Sequence, residues 1–162
     1  MDYLWTPWRY QYTAQVHSGK QPECIFCDAA SRKDDDVTLV AHRGTSCFVI
    51  LNRFPYTSGH VMVVPYKQTP DLNDLTEQEM TDLLLLTRSC QNALIKVMKP
   101  DGFNIGLNLG KVAGAGIREH LHMHVVPRWE GDTNFMPVLA NTTVVPQALK
   151  DLAAQLRAAL NS

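Results

Sequence analysis

Residues 120–126 read His-Leu-His-Met-His-Val-Val. Polar and apolar side chains alternate strictly, and a period of two is the period of a β-strand. In that conformation His120, His122 and His124 project from one face, about 6.6 Å apart. Leu121, Met123 and Val125 then face the other way and supply a core. Three imidazoles on one face are costly to bury without partners. They form a surface ladder, a three-histidine metal site, or a centre for nucleophilic and acid–base chemistry in the pH range where imidazole titrates.

The segment just upstream favours the last of these. Gly110-Lys111-Val112-Ala113-Gly114-Ala115-Gly116 is a glycine loop. Such a loop lets backbone N–H groups approach a ligand and form an anion-binding concavity. Alone it is an ordinary turn; beside a histidine strand it can hold phosphate oxygens while a histidine attacks phosphorus. Lys111, Arg118 and Arg128 can add positive charge there, or simply be solvated.

The remaining pattern predicts an α+β domain. Val37–Ala41 and Ser46–Asn52 read as strands joined by a turn at Arg43-Gly44-Thr45, and His60–Pro65 as a third. Thr76 and Glu79 form a capping box. After it Met80, Leu83, Leu84, Thr87, Cys90, Leu94 and Val97 follow helical spacing until Pro100-Asp101-Gly102. Phe103–Leu109 reads as a strand, and 134–143 gives no clear pattern. Pro146 opens a C-terminal helix with Leu149, Leu152, Ala153, Leu156 and Leu160 on its apolar face. The expected division is an aromatic arm over 1–23, a domain over 24–144, and a helix over 145–162 packed on that domain. The arm carries Trp5, Trp8 and further aromatics, which argues for packing on the domain or on a second subunit.

Composition narrows the function class. With 15 Lys+Arg against 16 Asp+Glu, the net charge of −1 lacks the basic excess of a nucleic-acid binder. Hydrophobic residues make up 45%, enough for a core across 162 residues without disulfide staples. No run approaches ~20 apolar residues, so no membrane span is expected. The start lacks a secretory leader pattern, and a cytoplasmic, reducing setting is expected. Of the cysteines at 24, 27, 47 and 90, Cys24 and Cys27 are spaced as half of a zinc site. Two buried reduced thiols are the alternative, and Cys24–Ser31 reads as a short helix or a metal knuckle.

The His120–His124 block, with the Val-Val-Pro-Arg that follows, resembles the signature of the histidine triad superfamily. Phe48-Val-Ile-Leu-Asn52-Arg-Phe-Pro55 and Gly59-His60-Val-Met-Val-Val-Pro65 are similar to its nucleoside-binding strands. Phe103-Asn-Ile-Gly-Leu-Asn108 is similar to the strand before its phosphate loop. The resemblance spans residues 24–130. It implies a HIT-like fold: about five antiparallel strands, one long helix, a short N-terminal helix and a C-terminal helix. Within the superfamily the chain is most similar to the branch of fragile histidine triad hydrolases and bacterial diadenosine tetraphosphate phosphorylases. Leu4-Trp-Thr-Pro-Trp-Arg9, the Cys-Ile-Phe-Cys and the Val-Ala-Gly-Ala-Gly-Ile loop carry that similarity.

The resemblance implies cleavage of dinucleoside polyphosphates through a covalent nucleotidyl-histidine, with adenosine phosphoramidase activity or idle nucleotide binding as alternatives. It makes His122 the nucleophile, flanked by His120 and His124, with His60 a further histidine of the site. Asn52 falls at the ribose contact and Asn108 near a phosphate contact. Gly114 and Gly116 belong to the phosphate loop, and Trp129 can stack a base. Gly116 and Ile117 stand where the hydrolases carry polar side chains, which favours a phosphorylase. No cofactor is expected for the chemistry. A structural zinc on Cys24, Cys27 and His120 is implied, its fourth ligand unknown. Relatives place a second histidine where this chain has Gln68, and His42 or His17 is the spare candidate. The implied partners are a small-molecule adenine dinucleotide and a second copy of the chain, as homodimer or tetramer.

Overall fold

In the computed structural model the described residues are 24–132 and 148–161. The arm over 1–23 with its two tryptophans, His17, the 134–143 stretch and Pro146 lie outside them. The elements run α1 (Ile25–Ser31), α2 (Asp35–Thr38), β1 (Val40–Arg43), β2 (Cys47–Leu51), β3 (Val61–Pro65), α3 (Glu77–Met98), β4 (Gly102–Leu107), β5 (Met123–Arg128) and α4 (Leu149–Leu160). Single 3₁₀ turns occur at Leu72–Asp74 and Lys111–Ala113. The strands form one antiparallel sheet in the order β1-β2-β3-β5-β4.

The long helix α3 begins and ends where the sequence says it must. Thr76 Oγ1 accepts the Glu79 N–H at 3.2 Å, and Glu79 Oε2 accepts the Thr76 N–H at 2.8 Å. This satisfies two otherwise unpaired donors of the first turn. Lys99, at φ 49°, closes the helix by donating its N–H to Ile95 O, and Pro100 prevents continuation. Leu83, Thr87, Cys90, Ala93 and Leu94 form the buried face. Leu84 does not belong to it: it lies one residue, or 100°, beyond Leu83 and is 61% exposed. Helix α4 packs on α3 and β1 through Leu152, Ala153 and Leu156.

The two middle strands β2 and β3 are buried at every residue, because both sheet faces are covered. Val49, Leu51, Val61 and Val63 join Leu121, Met123 and Val125 under α3. Phe48, Ile50, Met62 and Val64 meet Phe26 of α1 on the opposite face. That second face is where the histidines lie. Each fully buried Leu, Val or Phe contributes about 1.5–3 kcal/mol, so the C-I-F-C segment is held down largely by Phe26, which is wholly buried.

Two local readings are corrected. The expected strand over 37–41 is a helical turn first: Asp34 caps it by accepting the Val37 N–H at 3.2 Å, and Leu39 at φ 64° turns the chain into β1. The histidine strand starts at Met123 rather than His120. Leu121 gives its N–H to Thr69 O at 2.8 Å, outside the ladder, while regular pairing with β3 begins at Val63↔Met123.

Candidate active site

Alternation of faces survives the late start of β5. Leu121, Met123 and Val125 belong to the core under α3, and the three imidazoles lie on the opposite side. There a cavity of about 420 Å³ opens. Its apolar wall includes Ile25, Phe26, Leu39, Ile50 and Met62, and its polar end holds Asn52, His122 and His124. Gly114, Gly116 and Ile117 of the glycine loop close one side. A slot with one apolar wall and convergent polar groups is suited to a planar base and its polar tail.

The protonation of these rings follows from the groups that face them. His122 Nδ1 lies 2.9 Å from the backbone carbonyl of His120. A carbonyl only accepts, so Nδ1 carries the hydrogen and Nε2 keeps its lone pair. Burial of His122 pushes its pKa down, opposed by that hydrogen bond, so the ring is neutral at pH 7. Phe26 packs against it, ring centroids 5.0 Å apart.

A second chain of hydrogen bonds fixes His124. The Tyr56 N–H donates to His60 Nδ1 at 3.2 Å. His60 therefore bears its hydrogen on Nε2 and donates it to His124 Nδ1 at 2.9 Å. Neutral His124 must then carry its own hydrogen on Nε2. Asn52 Oδ1 accepts the Phe54 N–H at 2.9 Å, which turns its Nδ2 toward His60 Nδ1 at 3.3 Å. Gly59 makes the bend that delivers His60. Its φ is 83°, and a Cβ there would meet Met98 Sδ at 2.7 Å and Pro127 Cγ at 2.9 Å.

His120 turns elsewhere. Its Nε2–H donates to Pro65 O at 2.8 Å, leaving the Nδ1 lone pair 3.2 Å from Cys24 Sγ and 3.7 Å from Cys27 Sγ. All three donor atoms lie within 4.8 Å of one another. Two thiols and one imidazole with its lone pair inward are the donor set zinc prefers, so the residues present fit a metal. Cys24 Sγ also caps α1 by accepting the Cys27 N–H at 3.2 Å, so this segment is both short helix and knuckle. Burial and the neighbouring Cys24 push the Cys27 thiol up to about 11, opposed by a backbone hydrogen bond, and a bound cation would reverse that shift. His42 is not in this group; its Nδ1 lies 3.0 Å from Asn161 Oδ1 at the end of α4.

Asn108 and Trp129 do not line the cavity. Asn108 follows β4, and Trp129 sits in the turn after β5, its N–H on Asp132 Oδ2 at 3.2 Å. Arg128 is held by Asp132 and Asn104, away from the cavity. Phe26 and Tyr56 are the residues of the site that sequence reading missed. The signal for Phe26 was its place inside Cys-Ile-Phe-Cys; Tyr56 donates its N–H to His60 and packs its ring against His60 and His124, centroids 4.7 and 5.9 Å away, contacts that no sequence motif announces.

The HIT domain profile matches residues 34–131. The chain belongs to the HIT domain family. The AP-4-A phosphorylase of Mycobacterium tuberculosis strain H37Rv is 42% identical to this HIT protein over 154 residues, 91% of this chain and 78% of the relative. The asymmetrical bis(5'-nucleosyl)-tetraphosphatase of Schizosaccharomyces pombe is 37% identical over 93 residues, 57% of this chain and 50% of that one. Among solved structures, a Zn-bound histidine triad family protein from Mycobacterium smegmatis superposes with a TM-score of 0.67 at 27% identity, covering 85% of this chain and 93% of its own. Among the described residues no helix is long and apolar enough to cross a membrane.

Proposed function

We propose that this HIT protein cleaves dinucleoside polyphosphates of the diadenosine tetraphosphate type through a nucleotidyl-His122 intermediate, with inorganic phosphate as the acceptor. The observation that carries the reading is the His122 Nδ1–H bond to the His120 carbonyl, which leaves Nε2 as a nucleophile at the polar end of the cavity. The 42% identity to an AP-4-A phosphorylase supports the substrate class.

The base lies along the Phe26–Ile50–Met62 wall and the ribose reaches Asn52. His122 Nε2 attacks the α-phosphorus. The P–N bond forms as the bond from phosphorus to the bridging oxygen breaks. His124 donates a hydrogen bond from Nε2–H to the departing oxygen, which leaves as an anion, and His60 stabilises the tautomer that makes this bond available. The leaving group is ATP. An oxygen of phosphate then attacks the same phosphorus, the P–N bond breaks with its electron pair returning to His122 Nε2, and ADP departs. The glycine loop contributes backbone donors and room for the incoming phosphate, since Gly114 at φ 84° holds no side chain over the cavity.

Cys24, Cys27 and His120 would hold a zinc ion, which supplies structural cross-linking when bound. His120 thus supports His122 through its carbonyl rather than touching the phosphate. Association into a homodimer is part of this reading: β4 ends the sheet, and Asn104, Ile105 and Gly106 on it are exposed. A reducing cytoplasm suits the free thiols at Cys24 and Cys27. The test is product analysis with diadenosine tetraphosphate. ADP plus ATP formed only with phosphate supports the phosphorylase; AMP plus ATP in plain buffer makes it a hydrolase. Turnover of adenosine phosphoramidates alone makes it a phosphoramidase.

A further inference from the structure

The metal corner offers three donors, whereas zinc takes four in structural sites. A fourth polar atom stands beside them. Gln68 Oε1 lies 3.3 Å from Cys27 Sγ, which donates its S–H to it. Gln68 sits three residues beyond Pro65, whose carbonyl orients the His120 ring, so one short segment both aims the imidazole and presents the amide. Gln68 itself is exposed, which gives an ion a route from solvent.

We propose that the side-chain oxygen of Gln68 is the fourth donor of a Cys24–Cys27–His120–Gln68 site for a divalent, zinc-like ion. The inference rests on the reading of the first three residues as a metal site. When the ion enters, both thiols lose their protons to solvent, so the Cys27 S–H no longer occupies Gln68 Oε1 and that lone pair is released for the metal. Two thiolates cancel the charge of the ion. A neutral amide oxygen is a harder and weaker donor than imidazole or thiolate. The site is therefore one-sided: three strong donors hold the ion, and the Gln68 position exchanges readily with water.

Cobalt(II) titration of the full-length apo-protein tests this, read by absorption rather than by activity. The wild type is expected to show thiolate-to-cobalt charge transfer and the intense visible bands of a four-coordinate ion. Gln68→Ala keeps the charge transfer, changes the visible bands, and weakens cobalt binding by about tenfold or more, while Gln68→His tightens it by a similar factor. Both substitutions are at an exposed position and leave the fold intact. If Gln68→Ala binds cobalt with wild-type affinity and spectrum, Gln68 is not a ligand. If the wild type itself shows no charge transfer, the three-residue metal reading fails first, and this inference with it.

Discussion

His122 has its reactivity set by two neighbours rather than by its own ring. The His120 carbonyl chooses the tautomer, and burial keeps the ring neutral. The sign of the pH effect follows. The pKa of His122 is lowered from the ordinary 6.5, so the unfolded chain takes up its proton at higher pH than the folded one. Stability from this group is complete above 6.5 and is lost as pH falls below it toward the folded value. Activity follows the same ring: kcat/KM should stay flat from pH 8 down to about 6.5 and decline only below that. The facing groups are the His120 carbonyl and the His124 ring, its centroid 4.8 Å away. A metal held by two thiolates adds no net charge to that set. An acid limb with a midpoint above 7 in a pH–rate profile would contradict this account of His122.

Helix α1 carries the next level of control. Phe26 lies between the two cysteines and its ring meets both His120, at 5.4 Å, and His122, at 5.0 Å. Phe26→Leu should cost about 1–3 kcal/mol of stability and lower kcat about tenfold or more by loosening the attacking ring. Denaturant melts and steady-state kinetics measure both; a rise in KM with kcat unchanged would reduce Phe26 to a wall of the base slot. At this scale the sequence was legible wherever the information is local. Both ends of α3 are written in Thr76, Glu79 and Pro100, and the apolar runs of β2 and β3 mark them as buried strands. The Asp34–Thr38 turn was not legible, because its decisive feature is one side-chain cap inside a polar run that reads equally well as loop. The resemblance already sets His120 beside the two cysteines, and the structure brings the three together. Alternation alone gives only its face; the distant Thr69 and Pro65 carbonyls orient its ring. The resemblance sets Asn108 near a phosphate contact and Trp129 on a base, and neither lines the cavity.

For the whole molecule, the sheet separates two tasks. One face, under α3 and α4, holds the larger core; the other, under α1, holds the histidines and the cavity. Chemistry on the second face leaves the first free to stabilise the fold. In the proposed homodimer the open side of β4 meets a second copy, joining two sheets edge to edge about a two-fold axis. Light scattering at micromolar concentration should give at least twice the 18.2 kDa chain mass; a monomer mass would remove β4 as an interface. The central claim is the covalent step, and the most direct measurement of it is intact-protein mass spectrometry. The protein would be mixed with diadenosine tetraphosphate without phosphate and quenched within one turnover. The expected spectrum shows an increment of one adenosine monophosphate residue, labile to acid, localised to His122 and absent from His122→Ala. Product formation with no adduct at any time, or the same adduct in His122→Ala, would contradict it.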